Sequence, residues 1–300
     1  MQVQNMSDLF FLTFEFSFFL FLLGCVVGSF LNVIILRYEK GEQAVKGRSH
    51  CMSCGKTLAW YELVPLFSFL FQRGRCRECK TKLSLQYPLV ELGTGILFFL
   101  VFFHLFPFLP SEAVLTVITS GEKEFLMKWG GLLIVHLVIW SLFMVITVYD
   151  IRTKLIPNRF SYALAGVAFL ALFLGEQSLA FTPPTLSEVV AGPALFLPFY
   201  ALWKVSDGRW LGLGDGKLAL GIGWFLGLTL GGTAILFAFW IGASVSLLYI
   251  FFQKLYVSFW KRGSEKEMLT LKSEIPFGPF LVLATLIVYV TQFNIYAYLL

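Results

Sequence analysis

The chain has 300 residues, of which 58% are hydrophobic and only 14% are charged, and it contains 34 phenylalanines. A water-soluble globular protein needs more polar side chains than this to cover its surface. The composition therefore excludes an ordinary soluble fold and indicates that much of the chain is embedded in a lipid bilayer.

Apolar runs recur along almost the whole sequence, and those of about 20 residues are long enough to cross a hydrocarbon core of about 30 Å as a helix. The first run has no basic stretch before it and no small-residue cleavage pattern after it, which predicts a retained helix rather than a secretory signal. We predict an all-α polytopic membrane protein with about eight transmembrane helices. The short, glycine-rich run 218–230 leaves open a tilted or re-entrant helix. The eight runs are 9–36, 87–106, 129–149, 160–174, 188–203, 218–230, 233–252 and 277–299.

The distribution of cationic residues predicts the orientation of these helices. The four loops 37–82, 152–159, 204–217 and 254–272 contain 21 of the 23 lysines and arginines. The positive-inside rule then places these loops in the cytosol and both termini outside, as expected for a multi-pass membrane protein. This asymmetry accounts for the net charge of +5 without a nucleic-acid partner, and a basic face suits anionic membrane lipids. The long external loop 107–128 has no predicted role beyond connection.

The first cytosolic loop contains four of the five cysteines as two C-x2-C pairs separated by 21 residues. They are Cys51, Cys54, Cys76 and Cys79. Each pair in a tight turn presents two thiolates on one side, so two pairs predict a tetrahedral zinc site. Two disulfides are the alternative, but disulfides are rare in a reducing cytosol. Since four thiolates leave no open coordination position, the predicted zinc is structural and folds the loop.

Two aspartates lie at the predicted cytosolic ends of helices. Asp150 ends the third run, and Asp215 begins the sixth run within the sequence GLGDGK. Two carboxyl groups a few ångströms apart do not both ionise easily, and a pair that shares one proton suits peptide hydrolysis. Each residue also has a structural explanation, such as capping a helix or pairing with Arg152, and the residues alone leave both readings open.

Several neighbours of these aspartates are candidates for substrate contact or for supporting the site. Gly212 and Gly214 allow a substrate backbone to approach Asp215 closely, and Lys217 follows on the same segment. Acidic side chains of the first loop and second run are candidates to line the path of a basic peptide. These acidic candidates are Glu62 and Glu91.

A series of motifs occurs in one order along the chain. They are GSFLNVI at 28–34 with Arg37, RSHCMSC at 48–54, ELVP at 62–65, GRCREC at 74–79, YPLVE at 87–91, the segments 150–158 and 212–217, and PFGPF at 276–280. In these motifs the chain resembles the prepilin peptidase family, the type IV leader peptidases, over nearly its whole length. Tyr38, Glu39 and Met52 depart from the family pattern without touching a proposed acid or metal ligand.

The resemblance implies an aspartic protease of the GxGD type with Asp150 and Asp215 as its catalytic pair. Such enzymes cut after a glycine that ends the basic leader of type IV prepilins or of the pseudopilins of type II secretion. Members with the cysteine loop also methylate the new amino terminus with S-adenosylmethionine. The implied organisation is a first membrane helix at 1–36, a methyltransferase-associated zinc loop at 37–86, and the protease core at 87–300. No glycine-rich nucleotide loop marks the site of the methyl donor.

Three other functions are compatible with parts of the sequence. Paired membrane carboxylates and glycine-rich helices also occur in proton- or cation-coupled transporters, although the cysteine loop has no counterpart elsewhere in the chain. Ser206 with Lys217 could form the nucleophile and base of a serine protease. A zinc-anchored scaffold without enzymatic activity is the third.

Overall fold

The structure, a computed structural model, describes residues 6–41, 43, 47–105, 123–174, 182–260 and 275–298. These residues form helices and no strand, which confirms the predicted all-α fold. The α-helices are α1 (Met6–Glu39), α2 (Phe67–Phe71), α3 (Gln86–Leu105), α4 (Lys123–Thr153), α5 (Asn158–Ala171), α6 (Leu186–Ser206), α7 (Leu213–Trp260) and α8 (Gly278–Thr291). Short 3-10 helices lie at Trp60–Glu62 and Ile295–Tyr298.

Five of the described helices contain a segment long and apolar enough to cross a membrane. These segments are Thr13–Glu39, Gln86–Leu105, Trp129–Thr153, Leu186–Ser206 and Leu213–Gln253. The helices α5 and α8 have 14 residues each, so each is about 21 Å long and shorter than a hydrocarbon core. The prediction of a polytopic membrane protein is confirmed, and the count of eight crossings stays a prediction.

The predicted runs 218–230 and 233–252 both lie within α7, whose helical backbone is interrupted at Gly227. This glycine has φ 78° and ψ 179°, a conformation outside the helical region. A Cβ atom on Gly231 would lie 3.6 Å from the Cα of Gly223, whereas residues eight positions apart along a straight helix are separated by about 12 Å. The chain therefore folds back at Gly227, and α7 consists of two packed limbs.

The end of the last predicted run differs from the structure. Residues 277–299 were expected to form one helix, but α8 ends at Thr291 because Gln292 adopts a left-handed conformation with φ 53°. Its backbone N–H still donates to the carbonyl of Val288 and closes the last turn. Parts of two predicted loops lie outside the described residues. These parts are 107–122 in the loop 107–128 and 261–272 in the loop 254–272.

The chain divides into two compact units. The first comprises Met1–Val148 with Phe173–Pro183, and the second comprises Tyr149–Leu172 with Pro184–Leu300. In the first unit α1 packs on α3, and glycines bring the two backbones close together. A Cβ atom on Gly24 would lie 2.7 Å from the carbonyl oxygen of Thr94 and 2.8 Å from the Cα of Gly95. Small residues at such crossings are how membrane helices pack closely without a hydrophobic driving force.

Gly24→Ala is expected to lower the stability of the first unit by about 1–3 kcal/mol, because the added methyl group meets backbone atoms that cannot rotate away. The measurement is the thermal unfolding midpoint of the purified chain in detergent. Gly131→Ala in α4 is the matched control, since its added Cβ would meet nothing within 4 Å. An unchanged or raised midpoint for Gly24→Ala would contradict the close packing.

In the second unit α7 is the central element and packs against α5, α6 and α8. Its contact with α6 is again close, since a Cβ on Gly223 would lie 2.7 Å from the carbonyl oxygen of Ala191. The indole N–H of Trp224 donates to the carbonyl of Val189 at 2.9 Å and fixes the rotation of α7 against α6. This packing positions the start of α7, where Asp215 lies.

Candidate active site and metal centre

Asp150 lies in the last turn of α4 and is only 3% exposed. Lys154, in a left-handed conformation with φ 56°, ends the helix and donates its N–H to the Asp150 carbonyl at 2.7 Å. Pro157 then occupies the N-cap of α5, as expected for a residue that cannot continue a helix. Asp150 therefore does not cap α5, and no described lysine or arginine forms an ion pair with it.

Asp215 lies in the first turn of α7 and is 8% exposed. The preceding loop leaves α6 through Asp207 and Gly208, which both have positive φ, and reaches Gly212. The N–H of Asp215 donates to the carbonyl of Gly212 at 3.2 Å, so the turn before the helix holds the aspartate in place. A Cβ atom on Gly212 would lie 3.4 Å from Asp215 Oδ2, so a larger side chain at this position would touch the carboxyl group.

The structure brings Asp150 and Asp215 into the same part of the second unit, where their carboxyl groups interact electrostatically. Ile156 packs between the segments that hold them. A Cβ on Gly214 would lie 2.8 Å from the Cβ of Ile156, and a Cβ on Gly278 would lie 3.5 Å from its Cδ1. Two buried carboxyl groups in one place are costly, and such sites are candidates for function.

Gly278 is a site residue that the spacing of the sequence did not reveal. It is the first residue of α8, and its backbone N–H donates to Asp150 Oδ2 at 3.0 Å. A Cβ at this position would lie 2.6 Å from the same oxygen, so only glycine lets the backbone approach the carboxylate this closely. The only sequence signal was the PFGPF motif, which carried no assigned role.

Lys217 does not point at the aspartates. Its ammonium group donates to Asn158 Oδ1 at 2.7 Å and lies 5.1 Å from the centre of the Tyr162 ring. Lys217 therefore ties the start of α7 to α5. The Ser206 hydroxyl donates to the Trp203 carbonyl and accepts the Trp210 N–H, so neither residue forms the proposed serine–lysine dyad.

The four loop cysteines of the first unit converge as the spacing predicts. The sulfur atoms of Cys51, Cys54, Cys76 and Cys79 all lie within 4.8 Å of one another, and all four are free thiols rather than disulfides. The Cys51 and Cys79 sulfurs are 3.9 Å apart. Tetrahedral zinc with Zn–S bonds of about 2.3 Å separates its sulfur ligands by about 3.8 Å, so the donor set fits zinc.

Each cysteine pair is held by the same backbone turn. Cys51 donates its N–H to the Lys56 carbonyl, and Cys76 donates to the Thr81 carbonyl, at 2.8 and 2.9 Å. Four residues after each first cysteine the chain turns left-handed, at Gly55 and at Lys80. Such a turn lets both thiols of a pair face one side. Gly55 and Gly74, beside the two pairs, both have positive φ.

The thiols differ in their tendency to ionise. Hydrogen bonds with the side chain and the backbone of Thr81 lower the pKa of Cys79 to about 6. The backbone hydrogen bond from Lys56 lowers the pKa of Cys54, but burial and the neighbouring thiols outweigh it and raise that pKa to about 11. A cation bound by all four sulfurs would displace the remaining protons. His50 is not part of this group, and its Nδ1 lies 3.3 Å from the Arg48 carbonyl oxygen.

Glu62 and Glu91 lie in the first unit and are each 6% exposed. Glu62 accepts the Ala59 N–H at 2.9 Å and pairs with Lys56 at 3.6 Å, so it caps the 3-10 helix of the loop. Glu91 accepts the N–H of Leu66 at 2.7 Å and a hydrogen bond from the Ser29 side chain. Both acids therefore order the loop, a role that their sequence context did not indicate.

Comparison with known proteins identifies two family profiles in the chain. One, described as the bacterial peptidase A24 N-terminal domain, matches residues 22–105, and the type IV leader peptidase family matches residues 137–247. A protein of Myxococcus xanthus named prepilin leader peptidase/N-methyltransferase is 32% identical over 90% of this chain and 89% of its own length. A protein of Klebsiella pneumoniae with the same name is 32% identical over 70% of this chain and 84% of its own length. One of Vibrio cholerae is 27% identical over 89% of this chain and 94% of its own length. No solved structure matches.

Proposed function

The chain belongs to the prepilin leader peptidase/N-methyltransferase family, and on that premise we propose that it is an aspartic endopeptidase and N-methyltransferase of pilin precursors. It removes the basic leader after a glycine from a type IV prepilin or pseudopilin and then methylates the new amino terminus. The observation that supports the peptidase assignment is that the buried Asp150 and Asp215 lie in one unit, where Ile156, six residues after Asp150, packs against Gly214 beside Asp215.

Peptide hydrolysis by this pair requires one ionised and one protonated carboxyl group. The ionised group takes a proton from water as the water oxygen attacks the scissile carbonyl carbon, and the protonated group donates to the carbonyl oxygen. The Gly278 N–H holds Asp150 in a fixed orientation, and the turn from Gly212 holds Asp215. The fixed carboxylates orient the attacking water before the substrate arrives, which is the effect that reduces the barrier. The carboxyl group that took the water proton then donates it to the amide nitrogen, the C–N bond breaks, and the leader is released with a carboxylate on its last glycine.

The same family membership supports methyl transfer to the amine that cleavage exposes. S-adenosylmethionine, when bound, would supply the methyl group for transfer to this amine. We assign the zinc loop at 37–86 to this activity and residues 87–300 to the protease core, following a first membrane helix at 1–36.

The proposed setting is the cytosolic face of a bacterial inner membrane. Its support is the concentration of cationic residues in the predicted cytosolic loops, which also suits contact with anionic lipids. Precursor pilins are the proposed partners, and their apolar helices would reach the site through the bilayer. The cysteine loop has no counterpart elsewhere in the sequence, which argues against the repeated halves of a transporter.

The proposed function is tested by co-expression with a panel of prepilin and pseudopilin precursors, followed by mass analysis of the mature amino terminus. The expected result is a chain shortened after glycine and heavier by one methyl group. Precursors of every class that remain full length in the presence of the folded enzyme would refute the peptidase assignment. Cleavage without the added methyl mass would refute the methyltransferase part alone.

Cys51→Ser is expected to reduce bound zinc from about one ion per chain to a small fraction of that, because a serine hydroxyl is a poor ligand for a site built from four thiolates. The metal content of the purified variant is measured by elemental analysis. Cys25→Ser is the matched control, since Cys25 lies in α1 and outside the four-sulfur group. Equal zinc in Cys51→Ser and the unmodified chain would contradict the proposed centre.

A further inference from the structure

The first unit contains a cavity of 340 Å³ beside the cysteine loop that the peptidase mechanism does not use. One face of α1 forms a wall, since Ser29, Val33, Leu36 and Arg37 recur at helical spacing. Residues of α3 and of the loop form the rest of the lining. A mostly apolar cavity with a few polar groups, at the lower end of the usual range of about 300–1,000 Å³, is the general form of a small-molecule site.

The charges in this cavity differ in how they are compensated. Glu62, at one part of the wall, is paired with Lys56. Glu91 accepts hydrogen bonds from Leu66 and Ser29, but no described lysine or arginine forms an ion pair with it. A carboxylate with no cation beside it in an apolar enclosure is unfavourable, and a cationic ligand would compensate it.

A second charge of opposite sign lies further along the same wall. Arg37 is 7% exposed and donates to the carbonyls of Gly47 and Arg48, which fixes its guanidinium at the cavity. It is eight residues after Ser29, so the two positions lie about 12 Å apart along α1. Phe69 adds an aromatic surface to the lining. One cavity thus offers an anion, a cation and an aromatic ring.

We propose that this cavity binds the methyl donor, with Glu91 facing the sulfonium and Arg37 facing the amino-acid carboxylate. The inference rests on the proposed methyltransferase function. S-adenosylmethionine combines a sulfonium cation, a carboxylate and a flat adenine, and the lining has a counterpart for each. An extended basic leader peptide is a poorer occupant, because a cavity of 340 Å³ is the size of a nucleoside-like molecule rather than of a peptide segment.

The test compares binding of S-adenosylmethionine with binding of S-adenosylhomocysteine, which has the same groups around a neutral sulfur. Glu91→Gln keeps an oxygen that accepts the Leu66 N–H and removes only the charge. It is expected to weaken S-adenosylmethionine about tenfold or more and S-adenosylhomocysteine much less. Dissociation constants are measured by calorimetry on the purified chain in detergent. Glu78→Gln is the matched control, because Glu78 does not line the cavity and its side chain is 67% exposed.

A second variant tests the cavity rather than the charge. Val33→Phe places a ring in the enclosed volume and is expected to weaken both ligands about tenfold or more. Val26→Phe, on the same helix but 56% exposed and outside the lining, is its control and should bind both ligands as the unmodified chain does. If Val33→Phe does not fold, the ratio of the two affinities in Glu91→Gln still decides the proposal.

Methyl transfer to a mature pilin peptide with a free amino terminus separates the possible failures. If the unmodified chain binds the donor and methylates this peptide while Glu91→Gln and Val33→Phe bind both ligands with unchanged affinity, the cavity is not the site and the proposed function stands. If the unmodified chain neither binds the donor nor methylates the peptide, the methyltransferase function and this inference both fail.

Discussion

Asp150→Asn and Asp215→Asn are each expected to reduce prepilin cleavage by about 10²–10⁴-fold, because an amide can neither accept the proton of the attacking water nor donate as a carboxylic acid does. The two variants should lose similar activity, and the double variant should lose little more, since one missing partner already disables a pair that acts as a unit. Cleavage is measured as the rate of appearance of the mature pilin by mass spectrometry.

The structure supplies a matched control for these variants. Asp207→Asn makes the same chemical change on an exposed residue of the same unit, at the left-handed C-cap of α6. Asparagine tolerates that conformation as well as aspartate does, so cleavage and thermal midpoint should stay unchanged. Full cleavage by either Asp150→Asn or Asp215→Asn would end the aspartic-protease assignment, and equal loss in Asp207→Asn would indicate a general effect of charge.

The cysteine centre shows how much local spacing determines. Two C-x2-C pairs fix four thiols on two short turns, and each turn is closed by its own backbone hydrogen bonds. Because these contacts span few residues, the sequence was sufficient to predict the convergence of Cys51, Cys54, Cys76 and Cys79. The left-handed residue of the second turn is Lys80 rather than glycine, and no propensity rule would have selected it.

Long-range contacts set the limit of such prediction. The residues Gly278 and Asp150 are 128 positions apart, and the hydrogen bond between them depends on tertiary packing that no local pattern encodes. Lys217 shows that proximity in sequence can also suggest a contact that the fold does not make. Its place beside Asp215 in sequence suggested a role in the site, but its partner is Asn158, 59 residues away. The hydropathy of a helix predicts whether it enters the membrane, but it does not predict which residues at the helix ends contact one another.

Helix length was the least predictable feature of the membrane region. The sequence predicted two runs, 218–230 and 233–252, and left open a tilted or re-entrant helix for the first. The structure breaks the helix inside the first run, at Gly227, where positive φ lets the chain fold back. The fold-back shortens the first limb, so that α7 begins with a short segment that carries Asp215. Both aspartates lie at helix ends, Asp150 in the last turn of α4 and Asp215 in the first turn of α7.

The second large effect is expected for Gly278→Ala, which should lower the turnover number for cleavage by about 10²-fold while the Michaelis constant changes little. Gly278 has an ordinary negative φ, so alanine causes no backbone strain. The added Cβ would lie 2.6 Å from Asp150 Oδ2 and force the carboxylate to move. A displaced carboxylate can no longer orient the attacking water, whereas it contributes little to holding the substrate. Steady-state kinetics on a prepilin peptide in detergent separate the two constants.

Gly166→Ala is the control for this change, because a Cβ on Gly166 of α5 would meet nothing within 4 Å in the same unit. It should leave both kinetic constants unchanged and raise the thermal midpoint slightly, as alanine favours a helix more than glycine does. If Gly278→Ala kept full turnover, the carboxylate of Asp150 would not need the position that the Gly278 N–H gives it. If it lost turnover only together with its thermal midpoint, the loss would reflect unfolding, and the close approach of α8 to Asp150 would be structural rather than catalytic.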